Sequence, residues 1–479
     1  MSYASAALPF RTRCVVGRDD NLVVSDTGDY LFLSGHELAT LEADPDALDL
    51  DLRARLRSKF MLADKGAQPG LDRLRRSRIA ARQEVATQGP ALHIIVPTLQ
   101  CAHSCKYCQV SRSLEATRFT MSAEALDASC DTVLQSSANR LTVEFQGGDP
   151  LLRFDLIEHA VERISASREL NGRKVRFVVA STLHQLTDGM CDFMARHDMV
   201  LSTSIDGPAE LHNRNRPIPT RDSYERTLAG IELARRRLGH DKVSALMTTT
   251  RESLEHPEGI VDEYVKLGFS EIFLRPLSAY GFAKRNQRHL GYSLDDFQRF
   301  YVRALERVME WNSHGVALRE VYASIILNKL LSPFDAGYVD LQSPCASGRG
   351  VLVYNYDGFV YPSDEARMVL ESGDASWRMG RIGEPLNALL QSDAARVIAS
   401  TGDPGRAEGC KDCVYRPFCA PNPIDAKAQH GRPDVSPALT EHCQRHLWLF
   451  DHFVSRVDAA GPAQLAIFHR WAGTAGATA

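Results

Sequence analysis

Apolar and polar positions along the chain fall into three successive patterns. Up to residue 64, the runs NLVV and YLFL flank an Asp-Thr-Gly turn, which predicts a hairpin over residues 21–33. Ser34 then stands where a helix cap belongs, ahead of HELATLEAD, and a second amphipathic stretch runs from Leu48 to Leu62, so residues 1–64 read as a small α+β domain. Residues 65–89 contain RLRRSRIAAR and predict a linker helix whose positive face is solvated. Beyond Pro90 come six short β-branched runs, LHIIVPT, RLTVEFQ, VRFVVAS, VLSTSID, VSALMTT and EIFLRPL, separated by helical stretches such as SAEALDASCDTVLQSS and PEGIVDEYVKLG. A repeating βα unit predicts an α/β fold with a parallel sheet. Six units with right-handed crossovers curl into a partial (β/α)6 barrel over residues 90–293, with the active site at the carboxyl ends of the strands. Residues 294–450 are helical to about Leu331, then form a hairpin turning at Tyr356-Asp357-Gly358 and a loop-rich segment bearing cysteines. The helix WLFDHFVSRVD leads into 451–479, where an Ala/Gly-rich tail is expected to be mobile.

Composition narrows the class. Hydrophobic residues make up 44% of the 479 and charged residues 24%, with 56 Lys+Arg against 60 Asp+Glu, which is a globular balance too acidic for a nucleic-acid wrapper. No run of 18 apolar residues occurs, and no basic segment followed by an apolar one opens the chain. The expectation is therefore a cytoplasmic protein with neither nucleic-acid nor membrane partners.

Eleven cysteines, an odd number unevenly spread, point to metal ligation rather than disulfides. Cys101, Cys105 and Cys108 directly follow the first barrel strand with C-x3-C-x2-C spacing; Cys410, Cys413, Cys419 and Cys443 cluster near the end. Cys14, Cys130, Cys191 and Cys345 read as small hydrophobes. Three thiolates on one tight loop suit three irons of a cubane and leave the fourth iron open, whereas a zinc loop would need a fourth ligand such as His103. For the later four, a structural zinc site is the alternative to an iron-sulfur cluster.

These cysteines, with Tyr107 before the third, resemble the radical S-adenosylmethionine (SAM) superfamily. Phe145-Gln146-Gly147-Gly148-Asp149-Pro150 is similar to its GGE motif, with Asp149 in place of Glu, and the resemblance implies that this backbone receives the methionine amino group of SAM. Ser181-Thr182 stand where relatives carry Thr-Asn, implying hydrogen bonds to methionine or ribose. Ser204-Ile205-Asp206-Gly207, with His212 and Arg216, resembles a segment of the peptide-modifying SPASM branch; it implies a ribose contact for Ser204, while Asp206 is either a contact there or a turn residue. Cys410, Cys413, Cys419 and Cys443 resemble the outer auxiliary-cluster ligands of that branch. Its second ligand set is broken, since Cys345 and Gly358 are present but Ser363 and Pro423 replace cysteines. The resemblance thus implies two [4Fe-4S] clusters, one binding SAM and one auxiliary.

Across its length the chain most resembles the SPASM maturases of the His-Xaa-Ser peptide system, through PFRTR, DTGDYLFLS, the stretch from TTTRESLEHPEG to SAYGFAKR, and YNYDGFVYPSDEAR. That implies hydrogen abstraction by a 5′-deoxyadenosyl radical from a precursor peptide with His-Xaa-Ser repeats, leading to crosslinking or oxidation. The implied partners are an electron donor such as flavodoxin or ferredoxin and a second radical SAM enzyme. Residues 1–64 resemble winged-helix domains that bind leader peptides, with a packing cap as the alternative. Asp364, an acid following the position of a lost cysteine, is the candidate catalytic residue, with a helix cap as its alternative. Two rival functions are sulfatase-type side-chain oxidation and a non-catalytic iron-sulfur protein that binds peptides.

Overall fold

The six β-branched runs beyond residue 90 pair side by side in chain order. In the computed structural model, which describes residues 5–64, 68–110, 112–115, 118–278 and 280–474, strands Leu92–Ile95, Arg140–Phe145, Lys174–Ala180, Val200–Ser204, Val243–Thr248 and Leu274–Arg275 form successive parallel pairs. Helices such as Ala123–Leu134 and Pro257–Lys266 lie between them in sequence. This is the expected α/β partial barrel, with two differences. The run EIFLRPL is broken: Glu271–Ile272 pairs with Arg319–Glu320, and only Leu274–Arg275 joins the main sheet. The sheet also continues past its first strand, because Val351–Tyr354 runs parallel to Leu92–Ile95 and is followed by antiparallel Phe359–Tyr361 and Gly380–Arg381, making nine strands. The buried Tyr354 hydroxyl lies 3.0 Å from His93 Nδ1 across that junction.

The chain forms two compact units, neither continuous in sequence. One comprises Gln88–Tyr322 and Ser347–Arg396 and holds the nine-stranded sheet; the other comprises Met1–Thr87, Ala323–Ala346 and Val397–Ala479. In the second, the predicted hairpin is Asn21–Ser25 with Tyr30–Leu33, joined by a third antiparallel strand, Phe10–Cys14. Ser34 caps helix Gly35–Ala43 through a reciprocal box with Glu37. Val23, Leu31, Leu33, Leu41, Leu52 and Leu56 form the core beneath.

Helix Gln68–Thr87 corrects the expectation of a solvated basic face. Arg75, Arg78 and Arg82, spaced to share one side, reach the hairpin turn: Arg75 pairs with Asp26, Arg78 with Asp29, and Arg82 Nε donates to the Thr27 carbonyl at 2.7 Å. Gly28 in that turn has φ +84°, and a Cβ there would lie 2.8 Å from Phe418 and 2.9 Å from Arg82. The expected mobile tail is likewise corrected, because Pro462–Trp471 is a helix with Trp471 buried and its last carbonyls accept from Ser324 and Asn328. Residues 475–479 lie outside the described ones. Among the described residues, no helix is long and apolar enough to cross a membrane.

Arg82 is buried, and burial pushes its guanidinium down to about 10 while it serves the Thr27 and Lys329 carbonyls. Arg82→Met leaves both acceptors unpaired and should cost about 2 kcal/mol in thermal or denaturant unfolding. Arg73→Met, on an exposed position of the same helix, should change stability by no more than about 0.5 kcal/mol.

Candidate active site

The loop after the first barrel strand brings Cys101, Cys105 and Cys108 onto one cavity of about 210 Å³, together with Tyr107, Gly147, Gly148, Ser181, Thr182, Ser204, Arg216 and Asp364. Except for Asp364, and for Arg216 at the end of helix Ala209–Asn215, these stand at or just beyond the carboxyl ends of the barrel strands, or on the loops that follow them. The cysteine loop has no regular secondary structure and is held by backbone bonds: Cys101 N–H donates to Ser113, Ser104 N–H to Pro217 and Lys106 N–H to Asn215. The three thiols lie within electrostatic reach of one another. Burial pushes Cys105 up to about 12 and raises Cys101 as well, favouring the neutral thiol in both.

Gly147 and Gly148 are required by the chain itself. A Cβ on Gly148 would lie 2.2 Å from the Gln100 carbonyl oxygen, and one on Gly147, at φ +130°, 2.5 Å from that of Thr98. The N–H groups of Gly148 and Asp149 donate to Thr98 and Gln100 at 2.9 and 2.7 Å. The glycine turn therefore seats the residues leading into Cys101, a role beyond the expected approach to a ligand.

Asp149 is buried and accepts from the Ser181 hydroxyl at 2.7 Å and the Thr182 hydroxyl at 2.5 Å. Ser181 and Thr182 line the cavity, but each gives its single hydroxyl hydrogen to this carboxylate. Ser204 lines the cavity at the end of its strand.

Asp206 takes a third role, neither cavity contact nor simple turn. It has no exposed surface, and both its oxygens accept from Tyr107 Oη, at 2.8 and 2.7 Å. Arg216 Nε lies 3.3 Å from the same carboxylate, and its guanidinium sits 5.3 Å from the Tyr107 ring centre. Burial pushes the Asp206 carboxyl up, while Arg216 and the Tyr107 hydroxyl oppose that rise. His103, the alternative zinc ligand, has its ring against His184 and Nε2 2.9 Å from Ser223 Oγ; burial pushes it down to about 3.

Asp364 is not the helix cap. Ser363 caps helix Asp364–Leu370 by accepting from Ala366 N–H, while Asp364 is its first residue and accepts from Arg367 Nε at 2.9 Å. Thr248 and Arg275 also line the cavity, and sequence reasoning missed them although both end barrel strands.

In the other unit, Cys410, Cys413, Cys419 and Cys443 lie within electrostatic reach of one another. Burial pushes Cys410 up to about 12. Cys345 meets Gly402, where a Cβ would lie 2.6 Å from the Cys345 Cβ and 3.5 Å from Pro423. Pro423 opens helix Pro423–His430, capped by Asn422.

Residues 95–264 match the profile of the Radical SAM superfamily. This region is a radical SAM domain. An uncharacterized protein of Methanothermobacter thermautotrophicus is 27% identical over 184 residues, 38% of this chain and 66% of its own length. The cysteine-type anaerobic sulfatase-maturating enzyme of Clostridium perfringens is 22% identical over 372 residues, 74% of this chain and 94% of its own. The solved structure of native anSMEcpe with bound AdoMet and Kp18Cys peptide covers 77% of this chain and 99% of that one, with TM-score 0.63 and 19% identity. Streptococcus suis SuiB bound to precursor peptide SuiA covers 92% and 100%, with TM-score 0.53 and 13% identity. Both structural likenesses concern the fold.

Gly148→Ala should displace the cysteine loop, because the colliding atoms are backbone. Anaerobically reconstituted protein should lose about four irons per chain, read by iron analysis. Gly189→Ala, where a Cβ meets nothing within 4 Å, should keep them.

Proposed function

We propose that this protein is a radical SAM maturase that abstracts hydrogen from a side chain of a ribosomally made peptide. The observation supporting this reading most strongly is the meeting of Cys101, Cys105 and Cys108 with Gly147, Gly148, Ser204 and Asp364 on one cavity of a radical SAM domain. When bound there, a [4Fe-4S] cluster and SAM supply a 5′-deoxyadenosyl radical that takes a hydrogen atom from the substrate. Cys101, Cys105 and Cys108 would hold that cluster through their thiolates. With the N–H groups of Gly148 and Asp149 committed, the carbonyls of the glycine turn are left to receive the methionine amino group, and Ser204 suits the ribose. Asp364, held by Arg367, faces the cavity as a proton acceptor or peptide anchor.

Cys410, Cys413, Cys419 and Cys443 hold one auxiliary cluster on this reading, while Ser363 and Pro423 begin helices and ligate nothing. The substrate we favour carries His-Xaa-Ser repeats, modified by crosslinking or oxidation with electrons from a flavodoxin or ferredoxin and beside a second radical SAM enzyme. We place the protein in the cytoplasm, where free thiols and reduced clusters persist. Strand Tyr30–Leu33 is an edge of the three-stranded sheet and offers main-chain groups to a leader peptide. Sulfatase-type oxidation is the second reading, favoured by the similarity spanning 74% of the chain.

Reconstituted protein should carry about eight irons per chain, falling to about four when Cys101, Cys105 and Cys108 are replaced by Ala. A stoichiometry near twelve irons, or zinc in place of the second cluster, contradicts the two-cluster assignment. Co-expression with a peptide carrying His-Xaa-Ser repeats, followed by mass spectrometry, should show a loss of hydrogen from that peptide. Asp364→Asn should keep both clusters yet leave the peptide unmodified; modification at the wild-type rate removes Asp364 from the chemistry.

A further inference from the structure

Burial favours the neutral form of Cys410, Cys413, Cys419 and Cys443, so binding a cluster as four thiolates would place a strong anion in a partly buried site that needs cations nearby. Around the Cys410, Cys413, Cys419 and Cys443 site, cations arrive from segments far away in sequence. Arg13, on strand Phe10–Cys14, forks onto Asp451, with Nε and Nη2 donating at 3.0 and 2.8 Å. The Tyr415 hydroxyl donates to the same carboxylate at 2.6 Å. On the same strand, Arg11 Nε donates at 2.9 Å to the Lys411 carbonyl, between Cys410 and Cys413. Arg13 is within electrostatic reach of Cys413 and Cys443, and Arg11 of Cys413. On the remaining side Lys329, 1% exposed and paired with Asp335, is within reach of Cys419.

We propose that Arg13 is a positioning residue that sets the reduction potential of the second iron-sulfur cluster, making strand Phe10–Cys14 part of that cluster's electrostatic surroundings. The inference rests on the two-cluster reading above. An electron entering the cluster adds negative charge, so a neighbouring cation favours reduction and a neighbouring carboxylate opposes it. Arg13 and Asp451 balance each other. Removing Arg13 leaves Asp451 uncompensated, and neutralising Asp451 leaves Arg13 uncompensated, so the two changes must act with opposite sign. Simple bracing of the loop would carry no such sign.

The test is a redox titration of full-length reconstituted protein, followed by electron paramagnetic resonance with iron analysis. Arg13→Gln should move the midpoint of the second cluster to more negative potential and Asp451→Asn to more positive potential, with the SAM-site cluster unmoved. Arg13→Lys, which keeps the charge but loses the fork, should stay near wild type. Midpoints unchanged in both variants, or moved in the same direction, overturn the proposal. If Arg13→Gln sheds the second cluster, its retention in Arg13→Lys supports an electrostatic role, and its loss there too overturns it. Wild-type protein with about four irons would instead remove the two-cluster reading, a failure distinct from unchanged potentials in a protein with about eight.

Discussion

A carboxylate that no solvent reaches holds the loop on which the first three cysteines stand. Asp206 receives the Tyr107 hydroxyl on both oxygens and the Arg216 guanidinium alongside, so one buried group ties the cysteine loop to the fourth barrel strand and the helix after it. Burying such charges costs several kcal/mol unless the geometry satisfies them, and a network of this kind holds as a whole or fails as a whole. The glycine turn completes the hold from the second strand, where Gly148 approaches the Gln100 carbonyl too closely for any side chain. The loop can thus present thiols without regular secondary structure of its own.

The positions that depart from the motifs the sequence resembles are stably occupied. Asp149 is shorter than the usual Glu and is met by the hydroxyls of Ser181 and Thr182, which fixes the second and third strand ends to each other. Ser363 and Pro423 have become helix starts, one accepting an N–H in the first turn and the other with no N–H to leave unsatisfied.

Much of this was legible in local pattern. The six parallel strands, the helix cap at Ser34 and the cysteine loop after the first strand are each written in a few adjacent residues. What was not legible depends on pairings between distant segments. Val351–Tyr354 reads as one arm of a hairpin, and nothing nearby announces its parallel partner Leu92–Ile95. Arg75, Arg78 and Arg82 read as a solvated stripe because their acceptors lie in a turn some fifty residues earlier. Asp206 was placed at the right strand end, but whether it faced the cavity or the protein behind it depended on Tyr107 and Arg216. Arg13 stood within the PFRTR resemblance with no role attached to it, since its partner Asp451 lies far along the chain.

The central claim is that Cys101, Cys105 and Cys108 hold a cluster that cleaves SAM. Its most direct test is to reduce the anaerobically reconstituted protein with dithionite in the presence of SAM and quantify 5′-deoxyadenosine by chromatography, beside the protein with those three cysteines replaced by Ala. The account predicts 5′-deoxyadenosine from the wild type alone. Its absence from a wild-type protein with full iron content, or equal formation by both proteins, would contradict it.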